Sequence, residues 1–149
     1  MENLLADWRK TVEESFAAMT KISQAKSEIE RANQKWSRKE IIGHLIDSAA
    51  NNHQRFVRVQ LQNNLSLPGY EQKNWVDCQG YREESWRSLL ELWRSYNLHL
   101  IRVTGRIPAD KLQNICRIET NDPVTLEFLV TDYVIHLKCH LEQICREIG

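Results

Sequence analysis

The stretch DYVIHLKCHLEQI, residues 132–144, carries two histidines four positions apart, His136 and His140, inside an apolar pattern of helical period. Leu129, Tyr133, His136, His140 and Ile144 follow at steps of four, three, four and four, which places them on one helix face. The wider segment predicts a helix that starts near TNDPVT (120–125) and runs to about Glu147. Its apolar stripe is Leu126, Leu129, Val130, Tyr133, Leu137, Leu141, Ile144 and Ile148. Asp122 ahead of Pro123, or Thr125, can cap its start. Both imidazoles therefore face an interior or its mouth. A buried imidazole needs partners for both ring nitrogens. Two side by side need several hydrogen bonds or one cation.

Three more amphipathic segments precede this one. From about Asn3 to Ser23, Leu4, Leu5, Trp8, Val12, Phe16, Met19 and Ile22 recur at three- and four-residue steps. The polar stretch after it, SQAKSEIERANQKW (23–36), reads either as a short helix and a loop or as a continuation of the first helix. Ser37 with Glu40 three residues later is a capping box, and it predicts a helix from Arg38 to about Gln62. Ile41, Ile42, Leu45, Ile46, Ala49, Phe56 and Val59 form its apolar side. A third helix is expected from Glu84 to Arg106, where Trp86, Leu89, Leu90, Trp93, Asn97, Leu100 and Ile101 share a face. Between the last two lies a long loop, from Asn63 to about Glu84, with Tyr70, Trp75 and Tyr81. Loops of that length inside a domain are often functional. No alternating strand pattern is evident. Four long amphipathic segments predict an all-α fold, an antiparallel four-helix bundle formed by one domain over residues 1–149.

Composition narrows the function. Twenty basic and 20 acidic side chains balance to a net charge of zero, which argues against a dedicated nucleic-acid binder. No apolar run is long enough to span a bilayer, and MENLLADWRK has no secretory apolar core, so a cytoplasmic protein is expected. The four cysteines, at 78, 116, 139 and 145, form no CxxC pair and read as reduced thiols rather than a disulfide or zinc framework.

A histidine pair at this spacing is half of a metal site, and His44 on the second helix is the best source of a further ligand. Its face continues through Ser48, Asn51 and Arg55, a polar line on an otherwise apolar helix side. Asn51 and Arg55 can bind a substrate carboxylate, or Arg55 can form an interhelical salt bridge. Asp132, four residues before His136, and Glu40, four before His44, can orient an imidazole or be solvated surface charges. Asp132 and Asp47 are the candidate catalytic carboxylates. Tyr70 and Trp75 can wall the site or plug one end of the core, and Tyr133 can line the pocket or fill the core. His53 and His99 are read as structural or surface residues. Spacing alone leaves two readings of His44, His136 and His140 open: a metal triad, or core-edge histidines bonded to carboxylates and backbone.

The stretches KWSRKEIIGHLIDSAANNHQRFVR (35–58), LPGYEQKNWV (67–76), the tryptophan-rich third helix and TLEFLVTDYVIHLKCHLEQI (125–144), in that order, resemble the DinB/YfiT-like superfamily. The specific parts are the W-S-x-x-E-x-x-x-H-L and H-x-x-x-H-L-x-Q-I segments. The resemblance implies a four-helix bundle in which His44, His136 and His140 bind a divalent metal, zinc or nickel. Many relatives carry a histidine at the position of Cys139, so a thiol here stands beside the implied site. The resemblance also implies a small-molecule substrate. Relatives include S-transferases of low-molecular-weight thiols and metal-dependent hydrolases. The competing class is a non-catalytic metal- or ligand-binding bundle that acts as a stress protein. A homodimer is the expected assembly state.

Overall fold

The computed structural model describes residues 1–30 and 35–146. Residues 31–34 of the polar linker and the expected last turn at Glu147 and Ile148 lie outside that range. Four long helices form the body: α1 (Glu2–Met19), α3 (Arg38–Leu61), α5 (Trp86–Gly105) and α6 (Leu126–Cys145). Two short ones, α2 (Gln24–Ser27) and α4 (Gln72–Gln79), sit in the connections. The four-helix bundle expected from the periodicity is therefore the fold. No helix of the described residues is long and apolar enough to cross a membrane.

Local chemistry sets the helix ends. Glu40 N–H donates to Ser37 Oγ at 3.3 Å, and Glu40 Oε2 accepts from Ser37 N–H at 2.8 Å, which completes the capping box at the start of α3. Of the two caps open for α6, Thr125 is the one used: its Oγ1 accepts from Phe128 N–H at 3.1 Å. Ser85 Oγ caps α5 in the same way, accepting from Ser88 N–H at 3.2 Å, so that helix starts at Trp86 and not at Glu84. The polar stretch after α1 takes the short-helix alternative, with α2 capped by Ser23.

The helix directions depart from the simple antiparallel expectation. Arg38 donates to the Ile144 carbonyl at one end of α3, while Asn114, whose carbonyl accepts from Leu126 N–H at the start of α6, donates to the Val59 carbonyl at the other. So α3 and α6 run antiparallel. Glu13 pairs with Arg94, and Trp86 donates to the Met19 carbonyl, so α1 and α5 are antiparallel too. His53, in the middle of α3, meets Tyr96 and His99 in the middle of α5, and Lys39 donates to the Arg82 carbonyl close before α5. That makes α3 and α5 parallel neighbours. A parallel pair needs a connection that returns the length of the bundle. The segment from 62 to 85 is that crossover, and this is why it is long.

The crossover is not the plain loop that was expected. It holds strand β1 (Leu65–Leu67), α4 and a 3-10 turn at Tyr81–Glu83. β1 pairs in parallel with β2 (Ile115–Ile118), which pairs antiparallel with β3 (Val124–Thr125). This small sheet joins the two long connections at one end of the bundle. Its strands are too short for an alternating pattern to stand out in the sequence.

The core is continuous, from Trp8, Val12 and Met19 on α1 through Ile41, Leu45 and Phe56 on α3 to Trp93, Leu100, Leu137 and Leu141. One polar group is built into it. Asn97 Oδ1 accepts from Tyr133 Oη–H at 2.8 Å and from Trp8 Nε1–H at 3.2 Å, while its amide donates to the Trp93 carbonyl at 2.9 Å. The amide satisfies two aromatic donors that would otherwise be buried without partners. Tyr133 is thus largely a core residue, stacked at 5.2 Å on Trp8.

Candidate metal centre

His44 lies in the second turn of α3 and is fully buried, while His136 and His140 project from the second half of α6 and are half-buried. The antiparallel packing of α3 and α6 brings the three together. His44 Nε2 stands 3.3 Å from His136 Nε2, and His140 Nε2 stands 3.1 Å from the same atom. One ligand atom from each lies within 4.8 Å of the others, and this is the one such three-residue cluster of metal-ligating side chains among the described residues.

These separations can be tested against a cation. Zinc–imidazole bonds of about 2.0–2.1 Å in a tetrahedral arrangement put neighbouring nitrogens roughly 3.3–3.4 Å apart. Right-angle geometries put them roughly 3 Å apart. The two close separations, 3.1 and 3.3 Å, fall in this range and the third lies within 4.8 Å, so the three nitrogens can converge on a divalent ion and do not choose among such ions. Ring tautomers agree. His140 Nδ1 lies 3.3 Å from Gln143 Oε1, an atom that can only accept, so the ring proton belongs on Nδ1 and the Nε2 lone pair faces the cluster. That contact gives the glutamine of the H-x-x-x-H-L-x-Q-I segment a role that spacing did not reveal. His44 Nδ1 is buried with no hydrogen-bond partner.

Burial and the crowding of the rings favour the neutral form of His44 and His136. Burial, then the neighbouring His140 and His136 rings, push His44 down to about 3. Burial and His140 also lower His136, against the opposing pull of Asp132. Neutral imidazole is the form that ligates a metal. The same shifts give metal-free protein an acid sensitivity. An unfolded histidine titrates near 6.5, so below that pH the unfolded chain takes up a proton that folded His44 refuses. Stability is whole above about pH 6.5 and falls as the pH drops through the window below it. Between pH 7.5 and 5.5 the metal-free protein should lose about 1 kcal/mol, read as a lower urea midpoint at the acid end. An unchanged midpoint would show that His44 is not held neutral by its surroundings.

Beside the triad lies a cavity of about 140 Å³ whose wall includes Ser48, Asn52, Arg55, Tyr70, Asp132, Tyr133 and His136. Of the candidate site residues, Arg55, Tyr70, Asp132 and Tyr133 lie in this wall. Asn51 is not in this wall: its amide donates to the Asp47 carbonyl, and its neighbour Asn52 lines the cavity instead. The wall follows the side of α3 that meets α6, somewhat off the line through His44, and the sequence does not carry that rotation. Trp75 packs edge-on against Tyr70 at 5.2 Å and is itself exposed, so it backs the wall from outside. Arg55 forms no interhelical salt bridge among the described residues; it donates to the Pro68 carbonyl at 3.4 Å. Asp132 is exposed at the cavity edge.

Asp47 is buried, and its Oδ1 accepts from Tyr81 Oη–H at 2.5 Å and Gln79 Nε2–H at 2.7 Å. It fastens the crossover to α3. Glu40 is committed to its cap and to Arg82, not to an imidazole. Cys139 is exposed and stands outside the three-histidine cluster. His53 and His99, read as unrelated surface or structural residues, meet across α3 and α5 with ring centroids 5.2 Å apart.

Four helices, a small capping sheet and three converging imidazoles beside a polar cavity define a bundle protein with a candidate divalent-metal site. The chain belongs to the DinB superfamily, whose family model matches residues 5–144. Two solved structures share the fold. One is YfiT from Bacillus subtilis, described as a probable metal-dependent hydrolase with an unusual four-helix bundle topology. It is 18% identical at a TM-score of 0.82, over 97% of this chain and 87% of that one. The other is a mycothiol-dependent maleylpyruvate isomerase, 10% identical at a TM-score of 0.77, over 94% of this chain. The chain spans only 58% of the isomerase. None of the curated proteins compared matches it.

Proposed function

We propose that this protein is a small metal-dependent enzyme in which His44, His136 and His140 hold one divalent ion, zinc or nickel, and a low-molecular-weight thiol attacks or carries a small-molecule substrate. The observation that supports it is the meeting of three imidazole nitrogens at the edge of a cavity. Three protein ligands leave a coordination position for chemistry, whereas structural zinc sites are closed by four. An ion bound there supplies Lewis acidity that favours the deprotonated form of a thiol or water. The chain's own groups do the rest. Gln143 keeps the His140 proton on Nδ1 and so orients that ring, and Tyr70, backed by Trp75, shields one side of the cavity from bulk water.

Metal-dependent hydrolysis is the second reading, and Asp132 favours it. This carboxylate lies in the same cavity wall as His136 and raises the His136 pKa, so it is placed to accept a proton from an attacking water. Asp47, whose Oδ1 is bonded to Tyr81 and Gln79, is left an anchoring role. A cytoplasmic setting and a homodimeric state complete the proposal.

The test is a panel of small thiols, each offered with one electrophile, on metal-loaded protein, beside an ester and an amide without thiol. Thiol consumption that depends on metal supports S-transfer. Thiol-independent cleavage that Asp132→Asn lowers by about 10²-fold or more supports hydrolysis. Turnover that metal removal leaves unchanged would sink both.

A further inference from the structure

Arg55 is the one cationic side chain in the wall of the cavity beside the triad, and its charge is poorly answered there. Its Nη2 donates to the Pro68 carbonyl at 3.4 Å, which uses one of the five N–H groups of a guanidinium. No carboxylate forms an ion pair with it among the described residues. The field of Glu119 reaches it, and Asp132 shares the cavity wall, but neither is bonded to it. Beside it the Tyr70 and Ser48 side chains line the same wall, and Arg55 and Tyr70 feel each other's charge. Burial lowers the Arg55 pKa. A half-buried guanidinium without a counter-ion is costly unless something anionic arrives.

We propose that Arg55, with the Tyr70 and Ser48 hydroxyls, forms a carboxylate-binding subsite, so that the substrate of the neighbouring centre is a short-chain carboxylic acid. This rests on the metal-site reading for its catalytic meaning but not for its binding. A planar carboxylate fits the fork of one guanidinium. A phosphate dianion is a worse match, because the site holds a single cation and Asp132 stands in the same wall. The cavity, about 140 Å³, admits a molecule of few heavy atoms. Its wall includes both Arg55 on α3 and His136 on α6, so an acid group held at Arg55 stays in the cavity that one of the three histidines borders.

The probes are propionate, its uncharged analogue propionamide, and inorganic phosphate. Each is titrated into zinc-loaded and zinc-free protein while the Arg55 Nε–H and Tyr70 ring signals are followed by NMR, with zinc content assayed in each sample. Propionate should shift both signals saturably and propionamide should not. Arg55→Gln should weaken propionate binding about 10- to 100-fold, with Arg55→Lys in between and zinc content unchanged in both. A merely structural arginine would not separate propionate from propionamide. Equal propionate binding by wild type and Arg55→Gln overturns the subsite, as does saturation by phosphate alone or no shift at Arg55. Failure of the wild-type protein to hold zinc, with the Arg55-dependent difference intact, removes the metal reading and leaves the subsite standing.

Discussion

His136→Ala should strip the protein of its divalent metal. His136 Nε2 is the atom nearest both of the other ligand nitrogens, at 3.1 and 3.3 Å, so its removal opens the middle of the cluster. Binding free energies of roughly 10–16 kcal/mol in four-ligand zinc sites put one imidazole at about 3–4 kcal/mol, or about 10²–10³ in affinity. Metal analysis after dialysis should find about one ion per wild-type chain and almost none in the variant. His44→Ala should behave in the same way. The fold should survive both, because each change removes one imidazole from a bundle whose helices are held by a continuous apolar core. Retention of a full complement of metal by either variant would take that histidine out of the site. Because His44 belongs to α3 and His136 to α6, paired losses would also establish that the ion bridges the two helices in solution.

Gly43→Ala should destabilise the protein, although helix propensity alone favours alanine by about 1 kcal/mol. A Cβ at this position would lie 2.2, 2.4 and 2.6 Å from three ring atoms of Tyr81. The ring has little room to retreat. It is buried against α3, and its hydroxyl is bonded to Asp47 at 2.5 Å and to Gln79 at 3.0 Å. Displacing it would cost overpacking and leave the buried Asp47 carboxylate short of a donor, when its Oδ2 already has none. The net loss should be about 2–4 kcal/mol, a fall in Tm of roughly 5–15 °C. A Tm at or above that of wild type would mean that Tyr81 is not seated on this glycine. Since Gly43 directly precedes His44, a weakened crossover should also loosen metal binding, by less than loss of a ligand does.

Both results turn on a division between local and distant information. The four long helices, the capping box at Ser37 and the Thr125 cap were legible in the sequence, because period and capping depend on residues a few positions apart. So was the shared direction of His136 and His140, a property of one helix. The partnership of Gln143 with His140 is equally local, three residues along the chain, but spacing alone does not show which atom the amide meets. The small sheet, the parallel run of α3 and α5, and the seat of Tyr81 on Gly43 all join residues far apart in sequence and leave no periodic trace.

The sequence by itself determined the bundle and the histidines available to it, since apolar spacing decides which side of each helix must be buried. Only the tertiary structure decided that His44 meets the α6 pair, that Asn52 replaces Asn51 in the cavity wall and that Arg55 faces the cavity with no carboxylate ion pair among the described residues. The reason is physical: a helix face is a local periodicity, but the relative direction, offset and rotation of two packed helices follow from side chains interlocking along the whole contact. A turn of twenty or thirty degrees about a helix axis changes which residue meets the cavity while leaving the sequence pattern the same.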